Sequence, residues 1–204
     1  CLLEVEPTEA RLVALDGFRL AIQKAVMPFE LPGGKENVRV VIPGRVLNEM
    51  SKVLGDTDEY CTLVFDQSRM TASFGTTTLS TVLLTGEYID YRKILPASFR
   101  TTALADRVGV QNAIDRASLM AREGKNNLIR MSFSGDTLAI SSNAELGDVL
   151  EELETELTGD PIEIAFNAKY ITDVIRNITD EKLCMRFNSN VSPCVIAPQE
   201  GEDY

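Results

Sequence analysis

An internal repeat constrains the fold of this chain more than any other feature of its sequence. Residues 38–65 and 162–187 both start with a short alternating pattern typical of a strand and continue into a segment of helical periodicity. Each then passes through an acidic turn into another strand, which opens on Cys61 in one copy and on Cys184 in the other. Two segments with the same order of elements indicate a duplicated folding unit.

The regions that precede these segments also match. LLEVEPTEARLVAL (2–15) aligns with LIRMSFSGDTLAIS (128–141), and each predicts a hairpin of two alternating strands joined by a polar turn. The matching blocks have the same order and nearly the same spacing. We therefore predict a duplicated α+β fold with a first domain over 1–95 and a second over 96–204, where Pro96 begins the linker.

Two elements of the second domain are less regular. We expect it to begin with a helix at about Thr102, on the apolar positions Leu104, Val108, Ile114 and Ala117. Residues 146–160 have leucines at helical spacing and also glutamates that alternate with apolar residues. By symmetry with the region after the first hairpin we predict a strand there, against the helix propensity of Glu and Leu.

Composition limits the possible functions. The chain has 204 residues, no His and a net charge of −11, and its four cysteines are widely scattered. Without His, no His-based triad or metal site is possible, and scattered cysteines argue against disulfides and zinc. No apolar run approaches the roughly 18 residues needed to cross a bilayer. We expect a cytoplasmic protein with reduced thiols, no cofactor, no metal and no membrane partner.

The residues offer little support for an enzyme. LPGGK (31–35) lacks the spacing of a phosphate-binding loop and is predicted to be a plain loop. The carboxylates within 151–156 leave one alternative open, a carboxylate-dependent hydrolase or lyase on a duplicated α+β domain. A protein-interaction module without catalysis or DNA is a further alternative.

Four segments together resemble the bacterial DNA polymerase III β subunit, the sliding clamp. They are LDGFRLA (15–21), GEYIDYRKILP (86–96), FNAKYITDVIRNI (166–178) and SPCVIAP (192–198). The resemblance implies a DNA-clamp fold with antiparallel sheets outside and helices lining the inner face. It also implies a non-catalytic processivity factor that encircles duplex DNA as a homodimeric ring. The two domains would be an N-terminally truncated middle domain and a C-terminal domain without its last strand.

Basic residues on the helical segments are the ones that the resemblance places toward DNA. In such a clamp they attract phosphates without reading bases. The alternative, on charge pattern alone, is that they are ordinary solvated helix faces. The residues are Arg45, Lys52, Arg107, Arg116, Arg122, Lys169 and Arg176.

A peptide-binding pocket is implied between the middle and C-terminal domains. The resemblance implies partners that dock there through short linear peptides, namely the polymerase catalytic subunit, the clamp loader and repair polymerases. Phe18, Ile89 and Lys93 depart from the usual His, Pro and Arg. The alternative is that the apolar residues near the turn are simply core residues. The implied pocket residues are Leu15, Gly17, Phe18, Arg19, Leu20, Ile89, Lys93, Ile94 and Pro193.

One further pair, Leu119 and Met120, matches positions that help close the ring against another subunit. The alternative is an apolar anchor at the end of a helix, just before the polar loop 121–127. The missing elements of the clamp also lead us to expect that this sequence is a piece of a longer protein.

Overall fold

The chain forms two compact units in a computed structural model. The first covers Cys1–Tyr91 and the second begins at Arg92, four residues before the predicted linker at Pro96. Residues 56–58 of the predicted acidic turn 55–58 lie outside the described residues. So do residues 32, 34 and 35 of the predicted loop 31–35 and residues 124–126 of the predicted polar loop 121–127. The structure describes residues 1–31, 33, 36–55, 60–123, 127–145 and 147–199.

The first unit consists of two antiparallel sheets and one helix. The four-stranded sheet has the order β3-β2-β1-β4, and the three-stranded sheet has the order β5-β6-β7. The elements are β1 Leu2–Glu6, β2 Glu9–Leu15, β3 Leu20–Val26, β4 Val38–Val41, α1 Gly44–Leu54, β5 Thr62–Phe65, β6 Arg69–Phe74 and β7 Thr77–Val82.

The second unit has one seven-stranded antiparallel sheet and two helices. Its strand order is β12-β9-β10-β11-β8-β13-β14. The elements are β8 Thr101–Asp106, α2 Arg107–Glu123, β9 Leu128–Ser134, β10 Thr137–Ala144, β11 Gly147–Gly159, β12 Ile162–Asn167, α3 Ala168–Arg176, β13 Lys182–Phe187 and β14 Val195–Pro198.

Strand order confirms the predicted repeat. The order β3-β2-β1-β4 of the first unit recurs as β11-β10-β9-β12 in the second. Both hairpins turn through two residues, since Glu6 pairs with Glu9 and Ser134 pairs with Thr137. In each copy the strand next to the hairpin leads directly into a helix, α1 or α3. The four-stranded arrangement and the helix that follows it are therefore present in both units.

The ambiguous segment is a strand over Gly147–Gly159, as predicted; residue 146 lies outside the described residues. Val149, Leu153 and Leu157 pack against the core, whereas the glutamates that alternate with them are more exposed. The first part of the strand pairs with β10 and the last part pairs with β8. Tertiary pairing on both edges outweighs the helix propensity of Glu and Leu.

The predicted helix forms, but its predicted start at about Thr102 is wrong, because the chain forms β8 there and α2 begins only at Arg107. Ala103 and Ala105 are buried alternately in a strand that lies between β11 and β13. The Asp106 carboxylate accepts a hydrogen bond from the Gly109 backbone N–H at 2.5 Å, as a helix-capping residue does. This Asp is the signal for the helix start that the periodicity does not show.

Each unit packs apolar side chains of its strands against its helices. In the second unit, α2 and α3 contact each other and cover a core that includes the mutually tilted rings of Phe133 and Phe187, whose centroids are 5.0 Å apart. In the first unit, Met50 of α1 packs with Met70 and Phe74. In the second unit, side chains alternate along β9 and β10, so the opposite sheet face carries the more polar residues. In the first unit both faces of the four-stranded sheet bury apolar residues, since Leu3 packs on the side of α1 and Leu2 and Val13 are buried on the other side.

Gly159 provides a test of the β8–β11 junction. It has a φ of +98°, and a Cβ there would lie 2.0 Å from the Arg100 carbonyl oxygen. We expect Gly159→Ala to lower the free energy of unfolding by about 3 kcal/mol or more in urea denaturation. Gly135→Ala is the matched control, since Gly135 also has a positive φ but a Cβ added there would meet nothing within 4 Å; it should cost about 1 kcal/mol. Equally small losses of stability in the two variants would contradict the close approach of Gly159 to the Arg100 backbone.

Candidate functional site

The turn between β2 and β3 is organised by the carboxylate of Asp16. Its Oδ1 accepts hydrogen bonds from the backbone N–H groups of Phe18 at 3.1 Å and Arg19 at 2.9 Å. Its Oδ2 accepts from the Arg19 guanidinium at 3.0 and 2.8 Å. These hydrogen bonds lower the pKa of the Asp16 carboxyl group; the one from the Arg19 side chain has the largest effect, and those from the backbone come next. Arg19 therefore stabilises the turn that carries it.

A second turn in the first unit has the same hydrogen bonds to its backbone groups. Between β5 and β6, the Asp66 carboxylate accepts from the backbone N–H groups of Ser68 and Arg69 at 2.8 and 2.7 Å. In both turns the Asp N–H also donates to the carbonyl oxygen of the Arg. The spacing Asp-x-x-Arg at 16–19 and at 66–69 is a sequence signal for this geometry that the hydrophobic pattern does not contain.

The apolar residues near the first turn are not core residues. Phe18 is 82% exposed at the tip, and Leu15 and Leu20 are half-buried on either side of it. Gly17 has a φ of +86°, a conformation that glycine adopts without strain. All five predicted residues of 15–20 thus belong to one short turn, which presents an aromatic ring and partly accessible leucines.

A segment after β7 lies against the same strands. The Tyr88 hydroxyl donates to the carbonyl oxygen of Val13, on β2, at 3.1 Å. Next to it, Ile89 is 60% exposed. This hydrogen bond holds the segment that contains Ile89 against β2 at Val13, which is two residues before Leu15.

The other predicted pocket residues belong to the second unit. Lys93 ends a short 3-10 helix over Tyr91–Lys93, and the exposed Ile94 follows it. Pro193 is exposed in the loop between β13 and β14. The 188–194 loop is tied to its own unit by Asn188, whose amide donates to the Ser98 carbonyl oxygen at 2.7 Å.

The predicted DNA-facing residues all lie on the three helices, but they have different partners. Arg45 and Lys169 are the second residues of α1 and α3, while Lys52 and Arg176 are the ninth, as the repeat predicts. Arg107 is half-buried and donates to the Asp180 carbonyl oxygen at 2.9 Å and to Gln111. Its guanidinium thus joins the start of α2 to the segment before β13.

Three of these cations form ion pairs with nearby carboxylates. Arg116 binds both carboxylate oxygens of Glu151 at 2.7 Å, which lowers the pKa of Glu151 and raises that of Arg116. Arg176 pairs with Asp115 at 3.1 Å, and Lys52 pairs with Glu49 on its own helix. Within the described ranges, no ion pair involves Arg45, Arg122 or Lys169, all of which are exposed.

The predicted ring-interface pair lies near the end of α2. Leu119 is 58% exposed, and Met120 is half-buried. An anchor that holds the end of a helix would be covered by its own unit, which is not the case for Leu119. Met120 alone fits that alternative.

The described residues offer few groups for chemistry. Burial raises the pKa of the Cys61 thiol, and it raises the pKa of the Cys194 thiol to about 11, so both are protonated at neutral pH. Over the part of the chain that is described, no group of three or more His, Cys, Asp or Glu residues is placed to hold a metal ion. None of the described helices is long and apolar enough to span a membrane.

Comparison with known proteins links both units to one family. Residues 1–90 match the DNA polymerase III beta subunit, central domain, and residues 92–204 match the DNA polymerase III beta subunit, C-terminal domain. The beta sliding clamp of Staphylococcus aureus is 32% identical over 201 residues, which are 98% of this chain and 52% of that protein.

Solved structures of the same kind are also similar. The DNA polymerase sliding clamp from Bacillus subtilis has a TM-score of 0.91 and 31% identity, covering 98% of this chain and 53% of its own. The sliding clamp from Pseudomonas aeruginosa bound to griselimycin has a TM-score of 0.89 and 27% identity, covering 98% and 54%. The chain thus spans about half the length of the relatives it matches.

These matches show that the repeated unit has the clamp fold, in which antiparallel strands carry helices. The chain belongs to the DNA polymerase III β subunit family. The predicted α+β fold class and the resemblance are confirmed.

Proposed function

We propose that this chain is part of a sliding clamp that encircles duplex DNA and tethers a replicative polymerase to it. The observation that carries the proposal is the match of both units, over nearly their whole length, to successive domains of one clamp family. In this proposal the first unit is the middle domain of the clamp and the second is its C-terminal domain. A homodimer of the full-length protein closes the ring in the cytoplasm, with Leu119 and Met120 at the contact between subunits.

The proposed clamp is not a catalyst. The rival interpretation, a carboxylate-dependent hydrolase or lyase, depends on the carboxylates of β11, and the family matches give it no support. The Glu151 carboxylate is bound bidentately by Arg116, and a pKa lowered in this way disfavours proton transfer at neutral pH.

Attraction to DNA in this proposal comes from exposed helix cations. Arg45, Arg122 and Lys169 support it best, because no carboxylate in the described residues neutralises them. Lys52, Arg116 and Arg176 share their charge with Glu49, Glu151 and Asp115 and would contribute less. Arg107 would act mainly through its hydrogen bonds within its own unit. Weak phosphate contacts suit a protein that must slide along DNA.

Peptide binding in this proposal uses the turn 15–20 and Ile89 of the first unit. Lys93, Ile94 and Pro193 of the second unit are proposed on the family resemblance alone. The exposed Phe18 ring, the half-buried leucines and the Arg19 guanidinium offer apolar contact with one polar anchor. That combination suits an extended peptide carrying Leu or Phe. The proposed peptide partners are the polymerase catalytic subunit, the clamp loader and repair polymerases.

The peptide proposal can be tested with a fluorescent peptide of the type QLxLF and the intact protein. Leu20→Asp should weaken binding about tenfold or more because it places a charge against apolar groups of the peptide. Arg19→Ala should have an effect of about the same size because it removes the polar anchor. Arg69→Ala is the matched control, since it changes the Arg of the similar turn 66–69; it should leave the affinity within about twofold. Saturable binding that is insensitive to both turn variants would refute the site.

The DNA proposal predicts a salt-dependent effect of single cations. Lys169→Ala should weaken duplex binding by the intact protein and reduce the slope of log affinity against log salt by about 1. Arg130→Ala is the control, because Arg130 lies between the core residues Ile129 and Met131 and therefore on the sheet face opposite the helices. Equal effects of the two variants would mean that the helix face has no special role.

A further inference from the structure

Two tyrosines hold the segment between β7 and the 3-10 helix against the four-stranded sheet. The Tyr88 hydroxyl donates to the Val13 carbonyl oxygen at 3.1 Å, on strand β2. Three residues later, the Tyr91 hydroxyl donates to Oε2 of Glu4 at 2.7 Å, on strand β1. We refer to these two hydrogen bonds as the tyrosine clasp. All four groups belong to the first unit.

Glu4 is an unusual residue for this position in a strand. It is only 8% exposed, and its other carboxylate oxygen lies 3.4 Å from the Arg39 guanidinium on β4. Its neighbour Leu3 packs against the core under α1, so Glu4 is on the opposite face of the sheet. A buried carboxylate is costly without partners, and Tyr91 with Arg39 provides them.

Tyr91 is held both by the burial of its ring and by the hydrogen bond of its hydroxyl group. It is 2% exposed, so the ring is packed against its surroundings and the hydroxyl points to a charged acceptor. A hydrogen bond to a buried carboxylate is among the stronger ones in proteins. The clasp therefore fixes both ends of a two-residue stretch, Ile89 and Asp90.

We propose that Tyr88, Tyr91 and Glu4 are positioning residues that preform the peptide-binding wall at Ile89. The inference rests on the proposed peptide-binding function. None of the three needs to contact the peptide: the clasp holds the exposed Ile89 beside β2, near the turn that carries Phe18. Because residues 89 and 90 are already ordered, peptide binding does not include the entropic cost of ordering them.

Tyr91→Phe tests the clasp most cleanly, because it removes one oxygen atom and keeps the ring. In the intact protein we expect the QLxLF peptide to bind about fivefold more weakly. We also expect the backbone amides of Ile89 and Asp90 to exchange with deuterium at least several-fold faster. Glu4→Gln, which keeps an acceptor but removes its charge, should have a smaller effect on both quantities than Tyr91→Phe, and Glu4→Leu should reproduce the Tyr91→Phe effect.

Gly135→Ala, in a turn of the second unit, is the control for a general loss of stability. It should lower stability without changing affinity or exchange at Ile89. Wild-type affinity and exchange in Tyr91→Phe, or an equal loss of affinity in Gly135→Ala, would overturn the positioning role. If the wild-type protein binds no peptide, the proposed function fails, while the exchange rates still decide whether the clasp fixes Ile89.

Discussion

Burial of an apolar helix face against antiparallel strands is the interaction on which both units depend. Alternation along the strands directs residues such as Met131 and Phe133 toward α2 and α3, and it directs Arg130 to the other side. The same burial turns the remaining helix surface outward. Arg45 and Lys169, at equivalent positions of α1 and α3, are therefore exposed for the same structural reason. The duplicated fold therefore places an exposed basic residue at the same helix position in both units.

Local hydrogen bonds then shape the surfaces that the packing leaves exposed. In the turn 15–20, Asp16 and Arg19 satisfy each other and several backbone groups, so that Phe18 can remain at the tip without burial. The tyrosine clasp acts similarly for Ile89 through buried acceptors. In both places a polar network holds an apolar side chain in an exposed position. An apolar residue that is held rigidly in solvent is suited to recognising a partner.

The elements with strong local patterns were predictable, and those set by tertiary contacts were not. The hairpins and the repeat follow from alternation and polar turns, and the strand 147–159 follows only by symmetry with the first copy. The predicted start of α2 is misplaced because Leu104 and Val108 mimic helical spacing, whereas β8 forms between two strands distant in sequence. The clasp could not be predicted, since no local pattern links Glu4 to Tyr91, 87 residues apart.

In the function that we propose, this chain is part of a ring that is held on DNA by encircling it rather than by tight contacts. The most direct measurement is retention of the intact protein, after loading, on a nicked circular plasmid at high salt. The account predicts that the protein stays with the circle during gel filtration and is released when a restriction enzyme linearises it, because screened phosphate contacts alone cannot hold it. Equal retention on circular and linear DNA, or equal loss from both, would contradict the account.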